Sequence, residues 1–153
     1  MTDRPGPPRA HSAPPTRPER LRQVVNLLNQ STALGLVIAI AGRASLSPGP
    51  RGTLLATGFR IRFPRASAFT VGDVIITKKS LAQLGERPRL LRHETRHASQ
   101  YACCLGPVML PAYGLAAAWS WLRTGDPASR NIFERRAGLL DGGYVERPLR
   151  ARR

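Results

Sequence analysis

Residues His93 to His97 read His-Glu-Thr-Arg-His, and they hold two of the chain's three histidines. On an α-helix, positions i and i+4 lie on one face, one turn apart. Two imidazoles at that spacing can bind one Zn²⁺, which leaves Glu94 beside the metal to act on a bound water. Glu94 directly follows His93, so it points about 100° round the helix from it. It can therefore take a proton from that water and return it to a leaving amine. A catalytic zinc ion lowers the pKa of its water toward about 7 and polarises a carbonyl oxygen.

The motif carries this chemistry only on a helix. Pro88 suits a first helical turn, no Gly or Pro occurs from Arg89 to Cys104, and Gly106-Pro107 ends the run. Leu90, Leu91, Thr95, Ala98 and Tyr101 give this helix an apolar character, which argues against full exposure. The competing reading is a solvated face on which Arg92 and Arg96 pair with helical neighbours.

A catalytic site needs a third protein ligand and an open position. The chain has nine acidic residues, and those downstream of the motif are Asp126, Glu134, Asp141 and Glu146. Asp126 stands in Gly125-Asp126-Pro127, which suits a turn. Glu134 opens a helical stretch, Asn131 to Asp141, whose small Ala137 and Gly138 permit close approach to the His93–His97 helix. Asn131 and Glu134 also have the spacing of a capping pair, so ligand and cap both stay open for Glu134. Asp73 and Asp141 are candidates to accept the remaining imidazole N–H groups. Tyr101, Tyr113 and Tyr144 are candidates to stabilise an oxyanion, with Tyr113 in a segment expected to be buried.

Several elements must position these groups. Glu19 to Gln30 is amphipathic, with Leu21, Val24, Val25 and Leu28 on one face. Ser31 or Thr32 then caps a second apolar helix, Ala33 to Ala41, closed by Gly42. Ser45 to Gly52 reads as a loop. Thr53 to Phe63 reads as a strand ending in the alternation Phe59-Arg60-Ile61-Arg62-Phe63, and Phe69 to Thr77 as a half-buried strand. Ser80 caps a short helix that Gly85 closes. Leu105 to Leu122 is uncharged, but Gly106, Pro107, Pro111 and Gly114 interrupt it, which favours a core helix over a membrane span. Trp119 and Trp121 leave peripheral membrane contact through 105–122 open.

The expected organisation is a Pro- and Arg-rich disordered tail over 1–18, a domain over 19–146 and a basic tail over 147–153. The N-terminal stretch has no apolar run of the kind a secretion signal needs, and His11 within it reads as solvated. Adjacent Cys103 and Cys104 offer no disulfide framework and read as small buried residues. The expected location is cytoplasmic, with peripheral membrane contact open. The net charge of +15 comes almost wholly from scattered arginines, since Lys78 and Lys79 are the only lysines. Non-specific polyanion binding follows from that charge as a side effect rather than as the function.

Four stretches extend the motif: Ala68 to Ile76, His93-Glu-x-x-His-x-x-Gln-Tyr101, Gly106-Pro-x-x-Leu-Pro-x-Tyr113 and Asn131-x-Phe-Glu-x-x-Ala137. His93-Glu94-x-x-His97 with a distal helical Glu resembles the gluzincin arrangement of zinc metallopeptidases. Together the stretches, from Val24 to Gly143, are similar to a family of small, uncharacterised bacterial zincin-like proteins. The resemblance implies His93, His97 and Glu134 as zinc ligands and Glu94 as acid/base. It also implies an α+β zincin-like fold, with a short antiparallel sheet packed on the active-site helix. In zincins a strand near Phe69–Thr77 lines the cleft and pairs with an extended peptide. The metzincin variant does not fit, because its glycine and third histidine fall at Gln100 and Cys103. The expected function is a zinc-dependent hydrolase acting on a peptide or protein. The alternatives are a non-catalytic metal-binding scaffold and a basic peripheral membrane or nucleic-acid binder with an incidental motif.

Overall fold

The computed structural model describes residues 14–64 and 66–150. The tail expectation for residues 1–13, with His11, lies outside them. Among the described residues, six α-helices and a four-stranded sheet make a mixed α/β fold. The helices are α1 (Arg17–Leu28), α2 (Ser31–Ala41), α3 (Leu81–Gly85), α4 (Pro88–Cys103), α5 (Met109–Thr124) and α6 (Ile132–Ala137). The strands are β1 (Ser45–Pro48), β2 (Leu54–Thr57), β3 (Ala68–Val71) and β4 (Val74–Thr77).

The sheet order is β1-β2-β4-β3. β1 pairs antiparallel with β2, β3 antiparallel with β4, and β2 parallel with β4. The sheet is therefore mixed, not purely antiparallel. Central β4, Val-Ile-Ile-Thr, is buried along its whole length because both sheet faces are covered. Val74 and Ile76 point with Ala56 and Phe59 into a cluster under α2, where Ala39 is buried. Ile75 points the other way and packs with Leu55, Ala68, Leu84 and Leu90 under α3 and α4. Edge strand β3 lies against α4, the helix that carries the His-Glu motif.

Several sequence expectations need correction. The single strand over Phe69–Thr77 is a hairpin, because Gly72 (φ 60°) and Asp73 form a two-residue turn between β3 and β4. Glycine at the first central position is what such a turn requires. A side chain at Gly72 would also run into the backbone of Ser31 and Thr32. Ser45–Pro48, expected as loop, is strand β1. The Phe59–Phe63 alternation is not a strand: Gly58 (φ 73°) turns the chain after β2, Phe59 is buried, and Phe63 is exposed. The Lys78 ammonium holds this segment by donating to the carbonyls of Arg62 and Pro64 at 2.8 and 2.9 Å.

α1 is rotated opposite to expectation. Leu21, Val24 and Leu28 face outward, while Arg22 and Asn26 are buried. Polar anchors set this rotation. Arg22 Nε donates to Asp73 Oδ1 at 2.7 Å and its Nη2 to the Arg51 carbonyl at 2.6 Å. Asn26 Nδ2 donates to the Ala98 carbonyl of α4 at 2.9 Å. α1 also begins at Arg17, inside the stretch expected to be tail. At the other end, Arg147 and Arg150 donate backbone N–H groups to Ser129 Oγ and the Arg123 carbonyl, each at 2.8 Å, so 147–150 packs back on the domain.

α5 is not a core helix, since Leu115, Trp119, Trp121 and Leu122 are exposed. No single helix among the described residues is long and apolar enough to cross a membrane. Cys103 is exposed and Cys104 half-buried, against the expectation that both are buried, because they lie where α4 ends. α6 stops at Ala137, short of the expected Asp141, because Gly138 (φ 91°) breaks away from helical geometry. Gly125 (φ 76°) opens the turn after α5, and the Ser80 cap on α3 and the Pro88 start of α4 are as read from the sequence.

Candidate metal centre

α4 places Leu90, His93, Glu94, His97, Ala98 and Tyr101 on its buried face, at three- and four-residue spacing. α6 begins at Asn131, whose side chain accepts from the Phe133 N–H at 3.0 Å. The Asn131 N–H, which Glu134 would accept from in a capping box, donates instead to the Ala128 carbonyl at 3.0 Å, so the Glu134 carboxylate is free to turn inward, where it is buried at 2 % exposure. His93, His97 and Glu134 converge, with one donor atom from each within 4.8 Å of the others.

The hydrogen bonds around the two rings fix their tautomers. His93 Nδ1 lies 3.0 Å from the Gly138 carbonyl, which only accepts, so Nδ1 carries the proton. His97 Nδ1 lies 2.8 Å from Gln100 Oε1, and the amide nitrogen of Gln100 donates to the Phe133 carbonyl at 2.9 Å. That second bond orients the amide, so His97 Nδ1 is also a donor. In the neutral rings both Nε2 atoms then present lone pairs, 3.0 Å apart. Glu134 Oε2 adds another at 3.1 Å from His93 Nε2 and 3.7 Å from His97 Nε2. Glu134 Oε2 is buried without a hydrogen-bond partner, while Tyr113 Oη donates to the other carboxylate oxygen, Oε1.

Three lone pairs facing one point repel unless a proton or a cation stands among them. Burial alone would push the His97 imidazole down, but the Glu134 and Glu94 carboxylates outweigh it and raise its affinity for a proton. Burial would likewise raise the Glu134 carboxyl. The neighbouring imidazoles and the Tyr113 hydroxyl reverse that and hold it well below the usual carboxylate range. A single proton can satisfy one edge of the triangle, whereas a divalent ion satisfies all three. Ligand atoms around a tetrahedral zinc ion bound at about 2.0–2.1 Å stand about 3.3 Å apart. The three edges here are 3.0, 3.1 and 3.7 Å, so the donor set fits such an ion.

Glu94 is also buried, and its Oε2 accepts from Thr70 Oγ1 of β3 at 2.7 Å. Burial pushes its carboxyl up, against the pull of His97, Thr70 and His93. The C-terminal turn covers the cluster: Gly142 lies so close to His93 that an added Cβ would stand 2.6 Å from its Cε1. The Tyr144 ring centroid is 6.0 Å from that of His93. Comparison with family models, curated protein sequences and solved structures finds no match.

The other sequence candidates go elsewhere. Asp126 accepts from Ser129 Oγ and from the Ser129 and Ala128 N–H groups, closing its turn. Glu146 pairs with Arg135 and Arg130. Asp141 pairs with Arg96 at 2.9 Å and Asp73 with Arg22 at 2.7 Å, so neither meets an imidazole. Arg92 and Arg96 turn to Asp141 rather than to neighbours on their own helix. Of the tyrosines, Tyr113 touches Glu134, Tyr144 flanks His93, and Tyr101 packs with Val71 and Met109. Sequence reasoning did not assign Gln100, the Gly138 carbonyl or Thr70 to the site. Gln100 had a signal: it stands three residues after His97, on the same helical face. The Gly138 carbonyl had none, because any residue type carries one.

Proposed function

We propose that this protein is a zinc-dependent hydrolase of gluzincin type, a small metallopeptidase in which His93, His97 and Glu134 hold the ion and Glu94 moves the proton. The observation that carries this reading is the convergence of three lone pairs, two on imidazoles whose tautomers are set from behind and one on a carboxylate that Tyr113 holds. The bound ion would supply Lewis acidity and acidify a water. The chain's own residues do the rest. Tyr113 pins Glu134 Oε1 so that Oε2 faces the imidazoles. Gln100 and the Gly138 carbonyl hold both rings in the ligand tautomer. Glu94, raised by burial and oriented by Thr70, is a carboxylate able to accept a proton and give it back. Three protein ligands leave a position for water, the pattern of catalytic rather than structural zinc. Edge strand β3 beside α4 fits the zincin-like arrangement, in which an extended peptide is the substrate.

One observation favours a second reading, a metal-holding scaffold without turnover. Gly142 and Tyr144 lie over His93, and no residue of the triad is more than 6 % exposed. A Glu94→Gln variant separates the two. Under the hydrolase reading the zinc-loaded wild type cleaves a broad peptide library, and Glu94→Gln keeps its zinc but loses roughly a hundredfold or more of the rate. Under the scaffold reading both proteins hold zinc and neither cleaves.

A further inference from the structure

Three helices turn apolar stripes away from the core. On α1 these are Leu21, Val24 and Leu28, on α2 Val37 and Ile40, and on α5 Leu115, Trp119 and Leu122. The spacing in each is that of one helical face. α1 spends its buried face on Arg22 and Asn26, the reverse of a helix whose apolar side belongs in its own core.

The α1–α2 bend and the α4–α5 bend, at 74° and 113°, abut where Gly106 lies against Asn29, whose Nδ2 reaches the Tyr101 carbonyl. Leu28 and Leu105 stand out there at 76 % and 75 % exposure. Leu105 does so from a left-handed backbone, φ 57°, which costs a leucine about 1 kcal/mol or more. Exposed leucines side by side at these two bends mark a candidate interaction site.

We propose that the protein docks onto anionic lipid bilayers through the outward stripes of α1, α2 and α5 and the two bends at Leu28 and Leu105. This stands independently of the metal reading. Charge identifies the occupant. Gln23–Gly42 and Gln100–Leu122 contain no charged residue, and exposed Arg20, Arg43 and Arg123 border them. Apolar residues for the acyl region with arginines for the headgroups is the make-up of an interfacial binder. Trp119, on the α5 stripe, fits the headgroup level, with the Arg123 guanidinium over its ring at 5.3 Å. A second copy is disfavoured as occupant because each chain carries +15. No single helix among the described residues is long and apolar enough to span, and exposed apolar stripes bordered by arginines are the make-up of helices that lie in the interface.

Flotation of the full chain with phosphatidylcholine vesicles, with and without phosphatidylserine, tests this. The protein is expected to float with phosphatidylserine vesicles and much less with phosphatidylcholine alone. A Leu105→Asn, Leu115→Ser, Trp119→Ser variant is expected to lose at least about tenfold in partitioning. Asn tolerates the left-handed backbone at 105, and the other two side chains are exposed, so thermal melting by circular dichroism should report an intact fold. Arg123→Gln alone should lower partitioning about fivefold. Leu81→Ser, an exposed leucine on α3 outside the stripes, should leave it unchanged. Three results would overturn the proposal: no flotation with either vesicle, equal flotation with both, or a triple variant that floats like the wild type. A dimer in sedimentation that the triple variant abolishes, without vesicle binding, would assign the surface to a second copy instead.

Discussion

Gln100 Oε1 accepts from His97 Nδ1 at 2.8 Å, and the same amide donates to the Phe133 carbonyl of α6 at 2.9 Å. One side chain thereby sets the tautomer of a candidate ligand and ties α4 to the helix that brings Glu134. Gln100→Leu keeps the side-chain volume but removes both bonds. We expect zinc affinity to fall about 10- to 100-fold with secondary structure retained, measured by chelator competition and circular dichroism. Unchanged affinity would separate Gln100 from the site.

Tyr113→Phe removes the hydroxyl that holds Glu134 Oε1. The carboxylate then has two free oxygens, and its orientation toward the imidazoles is lost. Zinc affinity should drop about tenfold, in the range for partners behind a metal ligand. Because Tyr113 is only partly buried, the melting temperature should change little.

Acid should release the metal. His97 binds a proton more readily than an ordinary histidine, because the Glu134 and Glu94 carboxylates outweigh the effect of burial. In the metal-free protein that proton adds stability below the unfolded-state value, and the gain is lost as pH rises through the raised folded value. Zinc must displace the proton, so its apparent affinity is full above the raised value and falls as pH drops through it. Zinc titrations across that window should show this fall, and a flat profile would contradict it.

The reversed polarity of α1 gives a paired stability prediction. Arg22→Met leaves the Asp73 carboxylate buried without its ion-pair partner and should destabilise the fold by about 3 kcal/mol or more. Leu21→Gln on the opposite face should lie within about 0.5 kcal/mol of the wild type. The opposite ranking in denaturant melts would mean that α1 is rotated with its leucines inward.

The helical elements were legible in sequence where punctuation was strong. Pro88 and Gly106 bracket α4, and Ser80 caps α3. Periodicity misled where it named an apolar face without naming what that face meets. Leu21, Val24 and Leu28 share a stripe, yet distant partners on Arg51, Asp73 and Ala98 decide the rotation. The β3–β4 turn was visible as Gly72-Asp73 but was read through, because Val71 and Val74 continue the apolar pattern on both sides. Two members of the triad could be read from i,i+4 spacing. The inward turn of Glu134 could not, since choosing between cap and cluster requires knowing that the Asn131 N–H already donates to the Ala128 carbonyl. The sheet's parallel β2–β4 pairing left no local trace in the sequence, because it joins segments whose connection contains a whole further strand.

The most direct test is zinc content per chain in the purified wild type beside Glu134→Ala, by elemental analysis after dialysis against metal-free buffer. We expect one ion per wild-type chain and nearly none in the variant, with both proteins folded. A folded wild type that retains no divalent ion after zinc loading, or a Glu134→Ala variant that retains as much as the wild type, would contradict the metal centre.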